Sequence, residues 1–345
     1  MAHSPRDGTG FLQEVRDAVT GRAALLVTGV LVLQLAFIAS YIGAFHSPKP
    51  RDVTLGVVAP REIAGQLVYQ LAALPGDPLD PRAVDEAAAL RQIHERDLDA
   101  ALIVDARGTT DTLLVAGGSG ASLAQATEAV VARAERAQQR TLKTVDVVPA
   151  AAGDSRGLSS FYLVVGWCVG GYLCAAILAI SAGARPANTH RALIRLAALA
   201  LYAVGSGLLG AVVAGPVLGA LPGSIAGLWG LGALVVFAVG ALTLALQGLA
   251  GVIGIGLAIA IVVVLGNPSA GGAYPYPLLP PFWSTIGPFL PPGAGTWSAR
   301  SIAYFRGNAL TCPLLVLSAW AVAGTATTLA SAALRGRKGQ TERSV

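Results

Sequence analysis

The stretch AALLVTGVLVLQLAFIASYIGAF, residues 23–45, is an apolar run that lies between Arg22 and the turn-forming sequence HSPKP. About 20 apolar residues are enough for a helix to cross the hydrocarbon core of a bilayer. A secretory signal has a shorter apolar region of roughly 7 to 15 residues and ends at a small-x-small cleavage site. This run is longer and ends in bulky residues, so we favour an uncleaved membrane anchor over a signal peptide.

The rest of the chain divides sharply by charge. Of the 19 acidic residues, 15 lie between Asp52 and Asp154, and residues 155–341 contain neither Asp nor Glu. Only 12% of the residues are charged and 54% are hydrophobic, whereas an average globular protein has about 25% charged residues. This division is typical of a membrane protein that carries one soluble domain.

Five further apolar runs bring the number of predicted crossings to six. The joint between the fourth and fifth, at Gln247 and Gly248, is so short that these two runs are either separate spans or one re-entrant hairpin. Glycines in the second and third spans, among them a GxxxG pair, predict close helix packing, although a glycine-rich composition also explains them. The five runs are residues 161–181, 192–214, 225–246, 249–266 and 310–332, and the glycines are Gly166, Gly170, Gly205, Gly207, Gly210 and Gly215.

Basic residues in the short flanking segments set the predicted orientation, because Lys and Arg favour the cytoplasmic side. They precede the first span, flank the turn between the second and third spans, and close the chain. With six spans all three groups fall on one side, which predicts cytoplasmic termini and an outward-facing soluble domain. The groups are Arg6, Arg16 and Arg22; Arg185, Arg191 and Arg195; and Arg335, Arg337, Lys338 and Arg343.

The predicted fold is therefore an α-helical polytopic membrane protein of six transmembrane helices, with an α/β extracytoplasmic domain inserted between helices 1 and 2. Before the first span, Phe11, Leu12, Val15 and Val19 recur at helical spacing and predict an amphipathic interfacial helix. The predicted divisions are a cytoplasmic amphipathic helix (1–22), the first span (23–45), the extracytoplasmic domain (46–160), a five-helix membrane domain (161–334) and a basic cytoplasmic tail (335–345).

Within residues 46–160, β-branched runs alternate with helix-like segments. This alternation predicts an α/β layer with at least one parallel pair of strands. Arg133, Glu135, Arg136 and Arg140 predict a solvated helix face. The predicted strands are residues 53–58, 100–105, 112–116 and 143–148, and the predicted helices are 61–74, 83–96 and the segment from the GGSG sequence to residue 139.

The GGSG sequence, residues 117–120, stands at the start of a predicted helix. Its backbone amides would suit a phosphate, because a helix N-terminus attracts anions. No Lys or further glycine pattern completes a nucleotide-binding loop. We favour the simpler interpretation, in which Ser119 or Ser122 caps the helix and the glycines make the turn.

The sequence offers no catalytic or metal-binding set. It lacks the G-x-x-x-x-G-K-[ST] loop that binds ATP phosphates, and its four histidines and three cysteines have no ligand spacing. The five later spans have no acidic residue that would carry a proton or hold a cation. We therefore expect no enzyme activity, no metal, no cofactor and no nucleic-acid partner, and any transport must be driven by a partner protein.

The most specific sequence is GNPSAGGAYPYPLLPPFWSTIGPFLPPGAGTWSARSIAYFRGN, residues 266–308, between the fifth and sixth spans. Eight prolines between Pro268 and Pro292 exclude a continuous helix. The apolar residues among them predict a broken, aromatic-rich hairpin over residues 267–308 at the outer leaflet. Its end, with Trp297, Tyr304, Phe305, Arg300 and Arg306, predicts an interfacial helix.

This segment resembles the corresponding loop of ABC-2 type transporter permease-like membrane proteins, especially the phage infection protein (Pip/YhgE) branch. The resemblance rests on GNPSAGG, LLPPFW, IGPFLPPG and RSIAYF, and on the layout of one span, an outer domain and five more spans. The positions that carry it are Gly266, Asn267, Pro268, Gly271, Gly272, Pro280, Pro281, Phe282, Pro291, Pro292, Arg300, Tyr304 and Phe305.

The resemblance implies a multi-pass subunit of a bacterial plasma membrane exporter. Such a subunit pairs with a second copy or a related permease and works with a separate ATP-binding cassette ATPase. The resemblance also implies that residues 11–22 and the turn between the second and third spans face that ATPase. The turn contains Arg185, His190, Arg191 and Arg195, although the positive-inside effect explains its charge equally well.

Two functions remain open from the sequence. The first is export of a lipid-like, peptide or drug-like molecule by an ABC-2 type permease. The alternative is a non-transporting cell-surface receptor or a secretion-system accessory scaffold, whose outer domain binds a protein or a cell-wall component. A membrane-embedded enzyme is a weaker third interpretation, for want of catalytic residues.

Overall fold

The structure is a computed structural model that describes residue 10 and residues 20–183, 185–186 and 188–341, without the side chains of residues 22, 182 and 337–341. Most of the predicted amphipathic helix, at residues 1–9 and 11–19, lies outside the described residues. So does the end of the predicted basic tail, residues 342–345.

The described chain is mostly helical and contains one small mixed sheet. Its helices are α1 (Gly21–Phe45), α2 (Arg61–Ala72), α3 (Glu86–Glu95), α4 (Ala121–Ala137), α5 (Ser159–Ala182), α6 (Thr189–Val212), α7 (Ile225–Ala250), α8 (Ile253–Ile259), α9 (Pro281–Ile286), α10 (Pro291–Tyr304) and α11 (Thr311–Thr341). Its strands are β1 (Val53–Val58), β2 (Leu79–Ala83), β3 (Ala100–Ile103), β4 (Thr110–Val115) and β5 (Thr141–Asp146). Turns of π-helix extend α6 over Val213–Val217 and α8 over Ala260–Gly266.

Five helices of the described chain, α1, α5, α6, α7 and α11, are long and apolar enough to cross a membrane. They are compatible with a multi-pass membrane protein. The predicted fifth span, residues 249–266, is instead a shorter apolar helix, Ile253–Gly266. At 1.5 Å per residue it reaches only about 21 Å, less than the roughly 30 Å of a bilayer core. The predicted count of six spans is therefore not confirmed.

Glycines turn the chain back between α7 and α8. Gly251 has a φ of +64°, which glycine adopts at little steric cost. A Cβ on Gly254 would clash with the backbone of Leu246 and Gln247, so this glycine permits α8 to lie directly against the end of α7. The predicted short joint at Gln247 and Gly248 is inside α7, and the break follows at Gly251.

Helix α7 is the centre of the helical bundle. It packs against α5, α6 and α11 and is buried around most of its circumference, as expected for a helix that is hydrophobic on all sides. Two glycines bring its neighbours close. A Cβ on Gly171 of α5 would lie 2.6 Å from the carbonyl oxygen of Val236, and one on Gly207 of α6 would lie 2.5 Å from the amide nitrogen of Ala233.

The predicted GxxxG pair does not form the close contact. A Cβ on Gly166 would meet no atom within 4 Å, and one on Gly170 would approach only the side chains of Tyr202 and Ser206. Gly205 is also open, whereas the predicted Gly207 does pack closely. The rotation of each helix about its axis decides which glycine meets a neighbour, and glycine spacing alone does not fix that rotation.

The sheet has the strand order β2-β1-β3-β4-β5. Strand β1 is parallel to β2 and β3, β4 is parallel to β5, and β3 and β4 are antiparallel, so the predicted parallel pairing is present. The sequence did not predict β2, which contains Pro81. Because proline lacks an N–H group it is tolerated at a sheet edge, which is where β2 lies. We call β1–β5 with α2–α4 the sheet unit.

The predicted solvated face of α4 is wrong for two of its four residues. Glu135 is 5% exposed and Asp111 of β4 is 1% exposed, and Arg140 Nε donates to Asp111 Oδ2 at 2.6 Å. Burial, together with a hydrogen bond to Asp111, raises the pKa of Glu135 to about 7. Of the four, only Arg133 and Arg136 are exposed, because Glu135 and Arg140 turn toward the buried carboxyl group of Asp111.

We expect Gly171→Ala to lower the stability of the chain by about 1–3 kcal/mol, because the added methyl group must displace the backbone of α7. The matched control is Gly166→Ala, which adds the same methyl group in open space on the same helix and is expected to change stability by less than about 0.5 kcal/mol. Thermal unfolding of the purified chain in detergent measures both. Equal melting temperatures for the two variants would contradict the close contact.

Candidate functional site

The proline-rich segment, residues 266–308, folds into short helical pieces. In chain order they are a 3₁₀ turn at Tyr276–Leu278, helix α9, a second 3₁₀ turn at Gly287–Phe289, and helix α10. Pro281 and Pro291 occupy the first turns of α9 and α10, where a missing N–H group costs no intrahelical hydrogen bond. The prolines therefore begin helices here as well as interrupt them.

Helix α10 is buried rather than interfacial, so that prediction is wrong. It packs against α5, α7 and α11, and a Cβ on Gly295 would lie 2.7 Å from Cγ1 of Val164. Thr296 and Ser298 donate their hydroxyl groups to backbone carbonyls one turn earlier in α10. The sheet unit covers the far end of the helix, which its aromatic and basic composition did not reveal.

Arg300 of α10 is the most buried arginine of the described chain, at 3% exposure. Its Nη1 donates to the carbonyl oxygen of Gly271 at 2.6 Å, and its Nη2 donates to those of Gly272 at 2.8 Å and Gly157 at 3.1 Å. One guanidinium thus ties the start of the proline-rich segment to the loop that leads into α5. A guanidinium suits this position because its donors form a rigid planar fork.

Tyr304 forms a second link from α10. Its hydroxyl donates to Oδ2 of Asp154 at 2.6 Å, and burial followed by the neighbouring carboxylate raises the pKa of Tyr304. The other oxygen of Asp154, Oδ1, accepts the amide N–H of Ser159 at 2.8 Å. Asp154 therefore holds the first residue of α5 and the last residue of α10 together.

Arg96 joins the sheet unit to the same helix. It follows α3 in a left-handed conformation with a φ of +67°, which turns its side chain onto Trp297 at 3.5 Å from the ring centroid. Its Nη1 donates to the carbonyl oxygen of Trp297 at 2.9 Å and to the hydroxyl of Ser301 at 2.7 Å. Burial, and then the charge of Arg300, lower the pKa of Arg96 to about 9. The sequence predicts only that a helix ends at Arg96.

The GGSG loop completes this contact. A Cβ on Gly118 would lie 2.8 Å from Cγ of Tyr304, and one on Gly120 the same distance from Cγ of Pro275. No side chain caps α4 at Gly120, and the Ser122 hydroxyl donates instead to the carbonyl oxygen of Ala273. The predicted serine cap is therefore wrong, and the glycines give the proline-rich segment room to approach. We call Arg96, Asp154, Arg300, Tyr304 and the GGSG loop the junction.

The other positions that carry the resemblance lie around the junction or elsewhere in the proline-rich segment. Gly266, Asn267, Pro268, Gly271, Gly272, Pro291, Pro292 and Phe305 are buried. Phe282 is 58% exposed and meets Trp283 edge to face, with ring centroids 5.0 Å apart. Pro280 and Pro281 begin α9 next to these rings. The structure thus brings most of the residues that carry the resemblance together and leaves Pro281 and Phe282 at the surface.

The predicted cytoplasmic contact residues lie at the opposite end of α5. Arg195 is 5% exposed, and Arg185 Nη2 donates to the carbonyl oxygen of Leu249 at 3.1 Å. His190 and Arg191, in the first turn of α6, are exposed. Arg185 and Arg195 therefore make contacts within the chain, whereas Arg185, His190 and Arg191 are exposed.

One further sequence pattern, GDSRG at residues 153–157, has the G-x-S-x-G spacing of a hydrolase nucleophile elbow. Here Ser155 is exposed and follows a 3₁₀ turn rather than a strand, so the required strand–turn–helix context is missing. Within the described ranges, no group of three His, Cys, Asp or Glu residues is placed to hold a metal ion.

No protein-family model matches this chain, and no match was found among curated proteins or solved structures.

We expect Tyr304→Phe to destabilise the chain by about 1–3 kcal/mol, because it leaves a buried oxygen of Asp154 without its donor. Tyr162→Phe removes the same hydroxyl group from an exposed position on α5 and serves as the matched control. Melting temperatures of the purified variants in detergent give the comparison. If both variants have the melting temperature of the wild type, the hydrogen bond between Tyr304 and Asp154 contributes nothing to stability.

Proposed function

We propose that this chain is an ABC-2 type permease-like subunit of a bacterial plasma membrane exporter that works with a separate ATPase. The observation that carries the proposal is the position of the proline-rich segment, residues 266–308, in which the resemblance lies. Helix α10 contacts three candidate membrane helices on its sides. At its end it contacts the sheet unit through Arg96 and the loop that leads into α5 through Tyr304. A movement of the membrane helices would therefore be passed directly to the sheet unit, on the outer side.

The distribution of acidic residues supports transport that is driven by a partner protein. Residues 155–341 contain no Asp or Glu, and intramembrane carboxylates are the usual carriers of protons and cations in ion-driven transporters. The sequence also has no ATP-binding loop of its own. This composition favours a mechanism in which a partner protein hydrolyses ATP and thereby drives transport.

The shape of the bundle supports an apolar cargo. A groove of about 770 Å³ opens between α5 and α6, lined mainly by apolar and small residues that include Trp167, Gly205 and Leu209. Pockets of roughly 300–1,000 Å³ suit drug-sized ligands. Among the three substrate classes left open by the sequence, a lipid-like or drug-like molecule fits this groove better than a polar peptide does.

We place the proposed contact surface for the ATPase at His190 and Arg191. Arg335 Nη1 and Arg185 Nη2 donate to the carbonyl oxygens of Gly248 and Leu249, so these arginines satisfy the last turns of α7. His190 and Arg191 are exposed beside them. Arg191 presents positive charge where the proposed topology places the cytoplasm.

A purification experiment tests the partner. Tagged full-length chain, isolated from its native membranes in mild detergent, is expected to bring an ATP-binding cassette ATPase with it. The double variant His190→Glu and Arg191→Glu is expected to recover at least about five-fold less ATPase, because the contact charge is reversed. Arg306→Glu reverses an exposed charge at the other end of the bundle and should recover the wild-type amount.

Recovery of the wild-type chain without any ATPase would contradict the proposal and favour the receptor or accessory-scaffold alternative. Equal recovery with all three chains would contradict the assigned contact surface.

A labelling experiment tests the orientation. In a background with Cys168, Cys174 and Cys312 replaced by alanine, a membrane-impermeant maleimide added to spheroplasts should label Gln125→Cys and not Asn188→Cys. Both positions are exposed, and they lie at opposite ends of α5, which is about 36 Å long. Labelling of Asn188→Cys alone would reverse the proposed topology.

A further inference from the structure

A small polar cavity lies inside the junction. Its volume is about 30 Å³, and its lining includes Arg96, Asp99, Tyr276, Trp297 and Arg300. About 10–15 Å³ is enough for one water molecule. The cavity therefore holds one or two particles of that size and is too small for a tetrahedral oxyanion such as phosphate.

The lining carries two guanidinium groups, and neither forms a direct ion pair. Among the described residues, neither Arg96 nor Arg300 has a carboxylate oxygen within 4.0 Å. The one acidic residue in the lining, Asp99, accepts hydrogen bonds from the amide and hydroxyl of Thr54 through Oδ2. Burial raises the pKa of Asp99, and its carboxyl group interacts with Arg96 without a direct contact.

The lining also has hydrogen-bond donors without acceptors. Arg300 is 3% exposed, and its Nε has no hydrogen-bond partner in the described chain. The hydroxyl of Tyr276 is buried and equally without a partner there. Buried donors are rarely left unsatisfied, because an unpaired buried donor has lost its hydrogen bonds to water without replacement. Whatever fills the cavity must accept hydrogen bonds.

We propose that the junction cavity binds one monatomic anion, chloride in ordinary salt solutions, between Arg96, Arg300 and Tyr276. A water molecule would accept hydrogen bonds but would add no negative charge beside the two guanidinium groups, whose nearest carboxylates, on Asp99 and Asp154, act on them from beyond 4.0 Å. Chloride supplies both the acceptor and the charge. Bound there, it clamps the sheet unit to the proline-rich segment, independently of what the protein transports.

The test is a chloride titration of the purified full-length chain in detergent. Sodium chloride replaces sodium gluconate at constant ionic strength, so that general screening does not change. We expect the melting temperature to rise with chloride and to saturate, by at least about 3 °C, because a ligand that binds only the folded state stabilises it. The fluorescence of Trp297, which lines the cavity, should change over the same chloride range.

Two variants locate the effect. Tyr276→Phe removes one donor and should raise the half-saturating chloride concentration by at least about five-fold, the equivalent of one lost hydrogen bond. Tyr274→Phe removes the same group from the neighbouring tyrosine, which packs on Phe45 instead, and should titrate like the wild type. Trp297→Phe should abolish the fluorescence change.

A wild-type melting temperature that is the same in chloride and gluconate would overturn the proposal and leave water in the cavity. A saturating chloride effect that is unchanged in Tyr276→Phe would place the anion elsewhere and also overturn it. The wild-type titration alone remains decisive should a variant fail to fold.

Discussion

The buried guanidinium of Arg300 is the interaction on which the arrangement of this protein depends. It donates to carbonyl oxygens of Gly157, Gly271 and Gly272, which belong to two segments far apart in the sequence. Because a guanidinium cannot give up its proton at physiological pH, this position stays charged and must keep its acceptors. The loop into α5, the start of the proline-rich segment and the end of α10 are therefore fixed relative to one another.

Around that point the sheet unit and the helical bundle behave as connected parts. Arg96 stacks on Trp297, and Tyr304 binds the carboxylate that also holds the start of α5. Side chains from three regions of the chain thus meet within one small volume. A loosely tethered domain would need none of these contacts, so the geometry favours a protein in which the sheet unit and the candidate membrane helices move together.

The same region explains why the proline-rich segment is so rich in glycine. A Cβ on Gly287 would clash with the carbonyl oxygen of Ser269, and one on Gly293 would clash with that of Gly287. The backbones here touch, as they do where Gly171 meets α7. Close backbone approach is a common way for helices to associate in lipid, where hydrophobic burial gives little driving force.

Local properties of the sequence were enough to predict five of the six apolar spans, the position of the sheet between the first and second of them, and the absence of a continuous helix through the prolines. These follow from hydrophobic length, strand periodicity and the missing proline N–H, which are local properties. The sequence did not reveal β2, the turn at Gly251, the role of Arg96 or the burial of α10. Those depend on which surfaces meet, and Arg300 shows the reason. The aromatic and basic composition around Arg300 predicted a membrane interface. The carbonyl groups that bind Arg300 are distant from it in the sequence, and they come together only after the sheet unit has packed against the bundle.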